Sequence, residues 1–276
     1  MSVEAAESAS LAQPEPDEAS PLCISTLGLF ALARDGSRVD RREWQSKKAR
    51  DLLKLLITRR GRPAPRDWLM EVLWPGQDPG LLSNRLSVAL STLRGVLDPD
   101  HRCAPDYFLA ATARTVTLRS NHVEVDVERF LAEGHSALGL VRDGDLDAAL
   151  PRLEAADAAY LRDFLEEDLY EDWTVPLREE ARSLYVSVLG ELAEIAHAVG
   201  RHDAAIRYRL RVLERDRWDE AAHLGVIAAL VSARRHGEAR RAHRDYARRM
   251  HEIGVQPAPL GGVNADHAGR PRSAAA

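Results

Sequence analysis

The chain has 276 residues, 45% of them hydrophobic, and a formal net charge of −5, which leaves room for two domains that each bury a core. Its longest apolar run, Leu52 to Ile57, is interrupted by Lys54, which argues against a membrane span, and five acids with no base before Pro21 argue against a secretory leader. Two cysteines, Cys23 and Cys103, are too few for a zinc framework or a disulfide scaffold and suit a reducing cytoplasm.

The charge is unevenly spread. Residues 1–40 carry 2 basic and 7 acidic side chains, residues 41–119 carry 15 and 8, residues 120–180 carry 5 and 17, and residues 181–260 carry 14 and 10. A basic window inside an acidic chain is the pattern of a nucleic-acid face, with chance fluctuation in an Arg-rich sequence as the competing explanation.

Residues 1–21, rich in Ala, Ser, Glu and Pro, are expected to form a disordered acidic tail. From Leu22, strand-like residues lead through Leu27, Leu29, Phe30 and Leu32 to Asp35-Gly36 and Val39, a hairpin signal. A first helix is predicted from about Ser46, its N-cap, to Arg60, with Ala49, Leu52, Leu53, Leu56 and Ile57 on one face. Lys47, Lys48 and Arg50 fall at its start, where phosphates or the neighbouring fold would meet them. A short second helix covers Arg66 to Trp74 and ends at Pro75-Gly76.

The third helix, Leu81 to Leu97, carries the most information. Leu82, Leu86, Ala89, Leu90, Leu93 and Leu97 recur at spacings of three and four. The opposite arc holds Asn84, Ser87, Val88, Ser91 and Gly95, flanked by Arg85, Thr92 and Arg94. An acid-free face of small hydrogen-bonding groups and arginines fits base-edge readout, or else a helix whose short side chains pack on a neighbour. Asn84 itself could instead cap the helix. Two strands follow, around Tyr107 to Ala111 and Thr115 to Arg119, with Arg114 at the tip between them. A small β-sheet, three helices and a β-hairpin wing make a winged helix over 22–125, whose third helix would enter the major groove and whose wing would reach a minor groove.

His122 to Asp126 reads as an extended bridge, within a hinge near Asn121 to Val127, into a second domain, 126–260, helical in pattern. Arg201-His202-Asp203-Ala204-Ala205-Ile206 recurs 34 residues later as Arg235-His236-Gly237-Glu238-Ala239-Arg240, the period of tetratricopeptide helix pairs. Gly144 to Leu150 forms a third copy, with Ala149, Ala205 and Ala239 where paired helices approach. Such repeats stack into interaction surfaces. The fold class expected is therefore mostly α, a winged helix followed by an all-α repeat domain, with residues 261–276 a disordered tail.

Nothing in the sequence offers a catalytic centre. No phosphate loop, dinucleotide fingerprint, nucleophile elbow or zinc-protease motif occurs. The acidic cluster Glu166, Glu167, Asp168, Glu171 and Asp172, interleaved with Leu169, Tyr170 and Trp173, reads as a solvated loop with aromatic anchors, since it lacks the spacing of a calcium loop. No metal or cofactor is expected. A protein-binding adaptor, in which the repeats do the work and the winged helix reads no DNA, stands as the alternative to a regulator.

With those residues placed, the chain resembles the actinobacterial antibiotic-regulatory-protein (SARP) family. The resemblance rests on Leu27-Gly28-Leu29-Phe30, Lys48 to Leu53, Leu73-Trp74-Pro75-Gly76, Asn84 to Arg94, Val125 to Phe130, Phe164-Leu165 to Trp173, and Gly254 to Pro259, in that order. It implies an OmpR-type winged helix joined to a bacterial transcriptional activation domain. It further implies binding to repeats in double-stranded promoter DNA, with a homodimer on the DNA as one arrangement, and activation by contact with RNA polymerase. On that basis the DNA-binding candidates are Asn84, Arg85, Ser87, Val88, Ser91, Thr92, Arg94, Arg114, Lys47, Lys48 and Arg50. Ala113-Arg114 stands where such wings often carry Gly-Tyr, so the wing contact is expected to differ, and Pro65 stands where a Ser N-cap is usual, so Ala64 or Pro65 itself must start the second helix. With neither a receiver domain before it nor a nucleotide-binding domain after it, the chain reads as a compact, stand-alone member.

Overall fold

The computed structural model describes residues 22–262; the terminal stretches expected to be disordered lie outside the described residues, except for 261–262. Among the described residues no helix is long and apolar enough to cross a membrane.

Four short strands form the first sheet, β1 (Leu22–Ser25), β2 (Ala31–Arg34), β3 (Ser37–Arg38) and β7 (Val123–Val125), in the order β3-β2-β1-β7. β1, β2 and β3 run antiparallel in sequence; β7 joins β1 in parallel, with Leu22 opposite Val123 and Ile24 opposite Val125. Asp35 and Gly36 both take positive φ (51° and 73°), the backbone of a two-residue hairpin turn whose twist matches its strands. Three helices follow: α1 (Lys47–Thr58), α2 (Arg66–Leu73) and α3 (Pro79–Leu97). Ser46 caps α1, its side chain accepting the N–H of Ala49. Pro65 starts α2 without a side-chain cap, and β4 (Ala64–Pro65) leads into it. β4, β5 (Leu109–Ala111) and β6 (Thr115–Leu118) form a second, antiparallel sheet in the order β4-β6-β5, whose β5–β6 hairpin is the wing.

The second half is six helices in three consecutive pairs: α4 (Asp126–Arg142) with α5 (Leu146–Ala159), α6 (Val175–Ala198) with α7 (His202–Arg215), and α8 (Glu220–Ser232) with α9 (His236–Glu252). The sequence repeats fall at the turn into the second helix of each pair. Ala149, Ala205 and Ala239 are all buried there, where any larger side chain would hold paired helices apart. The copy that opens at Arg235 is preceded by Arg234 in the left-handed region (φ 57°), where the other two use Gly144 and Gly200.

The bridge expected at His122 to Asp126 is not a free hinge. Residues 123–125 are β7, an integral strand of the first sheet, and Asp126 reaches back across it. Its carboxylate accepts the Thr26 N–H (2.7 Å), the Thr26 hydroxyl and the Leu27 N–H (3.1 Å). The loop between α5 and α6 closes on the same region: Gly28 N–H donates to Asp163 O (3.0 Å), Leu165 N–H to Thr26 O (2.8 Å) and Glu166 N–H to Gly28 O (3.0 Å). One apolar core consequently runs through both halves, taking in Ile24, Leu53, Val125, Phe130, Phe164 and Leu189.

Lys54, which breaks the apolar run of α1, is fully buried at this junction. Its ammonium donates to Glu167 and to Asp168 (2.6 Å), both in the α5–α6 loop, and lies 5.2 Å from the Phe30 ring centroid. The acidic cluster is thus only partly a solvated loop. Buried Arg178 of α6 shapes it from behind, donating to the carbonyls of Phe164 (2.9 Å), Leu165 (3.2 Å) and Asp168 (3.2 Å). Removing one partner of a buried ion pair strands the others in a poorly solvated site, at a cost of about 3 kcal/mol. Lys54→Ala is expected to lower unfolding stability by about that much, and adding Glu167→Gln and Asp168→Asn to recover a large part of it. Urea unfolding of the variants checks this; a Lys54→Ala protein within about 0.5 kcal/mol of the parent contradicts it.

Candidate nucleic-acid interface

α3 begins two residues earlier than the apolar spacing implied. Asp78 is its N-cap, accepting the Gly80 N–H (2.9 Å), so Asn84 lies inside the helix and does not cap it. Leu82, Leu86, Ala89, Leu90, Leu93 and Leu97 are buried, which fixes the rotation of the helix and leaves Asn84, Arg85, Ser87, Val88 and Ser91 exposed on its far side. Val88 is 66% exposed, an unusual position for a β-branched apolar residue that nothing covers.

Hydrogen bonding divides these side chains. Asn84 and Ser91 have no partner among the described residues, so their polar groups are available. The Ser87 hydroxyl donates back to Ser83 O (2.9 Å), and Arg85 donates to the Gln77 side chain in the preceding loop. Thr92 is half-buried at the edge of the stripe. At the wing, Arg114 is exposed at the hairpin tip, its N–H donating to the Thr112 hydroxyl (3.2 Å) while its carbonyl accepts the Arg66 N–H (2.9 Å).

Three candidates point elsewhere. Arg94 donates from Nε to Pro105 O (3.1 Å) and from a terminal nitrogen to Leu109 O (3.4 Å), tying α3 to the approach to the wing. Lys48 donates to Leu73 O at the end of α2. Arg50 turns toward the second half, 3.8 Å from Glu167. Sequence reading could not separate these cations from DNA-facing ones, because a periodicity gives the face of a helix but not which loop carbonyls come to rest against it. Lys47 is exposed at the start of α1, away from the stripe in sequence and with no ion pair among the described residues.

Arg66 was overlooked. It opens α2, and its guanidinium stands within reach of both the wing and the stripe, donating weakly to Thr112 O (3.5 Å) and to the Ser87 hydroxyl (3.4 Å). The only sequence signal for it was one more arginine in a basic window. Among the described residues no cluster of three or more His, Cys, Asp or Glu is arranged to hold a metal ion.

Residues 125–260 match the bacterial transcriptional activator domain family. No curated protein sequence matches the chain. Among solved structures it is similar to Mycobacterium tuberculosis EmbR, determined in complex with a low affinity phosphopeptide: TM-score 0.75, 23% identity, covering 90% of this chain. The chain spans 65% of the length of that structure, and the likeness speaks to the fold. The matched span is the set of helical repeats, which follows a small N-terminal domain of short strands and three helices. The helical repeats correspond to that family's domain.

Because Arg94 spends its donors inside the fold, Arg94→Ala is expected to act on stability: about 1–2 kcal/mol for two charge-assisted bonds to partly exposed carbonyls. A melting point unchanged by the substitution contradicts this placement.

Proposed function

We propose that the chain is a sequence-specific DNA-binding regulator that activates transcription. In this reading α3 lies in the major groove of double-stranded promoter DNA, Arg114 and the wing lie over an adjacent groove, and the helical repeats contact RNA polymerase. The observation that carries it is the exposed, acid-free stripe of α3, with the unpartnered Asn84 amide beside uncovered Val88 and flanked by Arg85. An amide can bond an adenine edge bidentately, a valine methyl can meet a thymine methyl, and arginine serves guanine or phosphate. Binding to promoter repeats and a homodimer on the DNA belong to the same proposal, as does the division of labour between 22–125 and 126–260.

One observation favours the adaptor alternative. Part of the basic window is answered within the molecule, by Lys54 with Glu167 and Asp168 and by Arg60 with Glu180 (3.0 Å). These pairs account for some of the charge segregation without DNA.

Reading and gripping separate experimentally. A base contact discriminates by about 1–3 kcal/mol, whereas a phosphate contact adds affinity on any sequence. Against a duplex selected from random sequence by the full chain, Asn84→Ala is expected to lose about ten-fold or more of the preference over random DNA, with little change in salt dependence. Arg114→Ala is expected to weaken both duplexes and to reduce the log–log salt slope by up to about 0.9. If selection enriches no sequence, or Asn84→Ala keeps full preference at normal affinity, the reading surface lies elsewhere. For activation, reconstituted transcription from a promoter bearing the selected site is expected to rise on adding the chain. Bound DNA with no rise in transcript would count against polymerase contact.

A further inference from the structure

A groove of about 510 Å³ opens between the β2–β3 hairpin, residues 40–44, the start of α1 and Glu167. That volume is in the range of small-molecule sites. Its apolar wall is Leu29, Phe30, Val39 and Trp44, with the Phe30 and Trp44 rings edge to face at 5.8 Å. Leu29 is 62% exposed, so this apolar surface is uncovered.

Three arginines, Arg38, Arg41 and Arg50, line the same groove. The side chains of Arg38 and Arg41 have no ion pair or hydrogen bond among the described residues. Arg50 is the unusual one: its side chain is only 16% exposed, yet its nearest carboxylate, on Glu167, is 3.8 Å away, and its buried Nε has no hydrogen-bond partner. Glu167 is drawn more closely to Lys54. The other carboxylate lining the groove, Asp40, accepts the Arg42 N–H at 2.7 Å. A guanidinium taken this far out of water with donors unsatisfied is costly, and a carboxylate binding it in parallel, two-bond fashion would remove that cost.

We propose that this groove binds a small organic acid, its carboxylate held by Arg50 with Arg38 and Arg41 at the rim, its chain or ring lying on Phe30, Trp44 and Leu29. The site is distinct from the α3 stripe, and its occupancy does not depend on DNA. Because Glu167 forms one wall and also holds Lys54, a bound acid would sit directly on the junction between the two halves.

Calorimetric titration of the full chain with octanoate and with 4-phenylbutyrate, each beside its neutral amide, tests the proposal. Saturable binding of at least one acid is expected, with its amide about ten-fold or more weaker. Arg50→Met and Arg41→Ser are each expected to weaken that acid, and Trp44→Ala to weaken it without abolishing charge preference. Arg41 is exposed, so Arg41→Ser keeps the test decisive even if Arg50→Met disturbs the junction. No saturable binding of either acid, equal binding of acid and amide, or an affinity untouched by Arg41→Ser and Trp44→Ala would overturn the site.

Discussion

A single lysine amine, removed from water, sets how the two halves of this regulator meet. Lys54 projects from the middle of α1, the central helix of the N-terminal half, and its charge is answered by Glu167 and Asp168 from a loop of the activator domain. A buried ammonium tolerates few alternative partners, because every displaced geometry leaves a charge unpaired. Apolar packing around it would hold the halves together; the ion pairs specify in which orientation. Arg178 and the Asp126 carboxylate extend that specification, the first by ordering the loop that carries the acids, the second by fastening the first turn of α4 to the β1–β2 connection. The junction is thus tied at several points by buried or half-buried polar contacts. These contacts fasten the repeats to the half that carries α3, as the proposed regulator, with one surface for DNA and another for polymerase, would require.

Much of the architecture was legible because it rests on periodicity. Alternating burial along the strands, the three–four spacing of leucines in α3 and the 34-residue recurrence in the repeats each have a direct geometric meaning. The Asp35-Gly36 turn was legible for a sharper reason, since two consecutive positive φ angles favour few residue pairs. What escaped was long-range pairing. β7 is three residues long and pairs with a strand a hundred positions earlier, so nothing local distinguishes it from an extended connection. The hinge that the charge boundary suggested is, for the same reason, the seam of a sheet.

The candidate interface divides along the same line. The helix face of Asn84, Val88 and Ser91 followed from the position of the leucines opposite. Which cations share that face did not follow, because Arg94, Lys48 and Arg50 are long, flexible side chains whose ends settle on carbonyls or acids supplied by other elements. Lys54 did leave a trace in the sequence, as the one charge inside an apolar helical run. That trace identifies a buried cation needing acids, and the acids sit in the cluster whose own spacing reads as a solvated loop.

On the proposed function, the outward face of α3 meets base edges while the repeats stay clear of the duplex. Placing a photoreactive benzoylphenylalanine at position 88, or at exposed Leu210 on the repeats as a comparison, and irradiating each chain on its selected duplex tests this most directly. The account predicts crosslinks from position 88 to bases within the selected sequence and few or none from position 210. Crosslinking from position 210 with none from position 88 would contradict it.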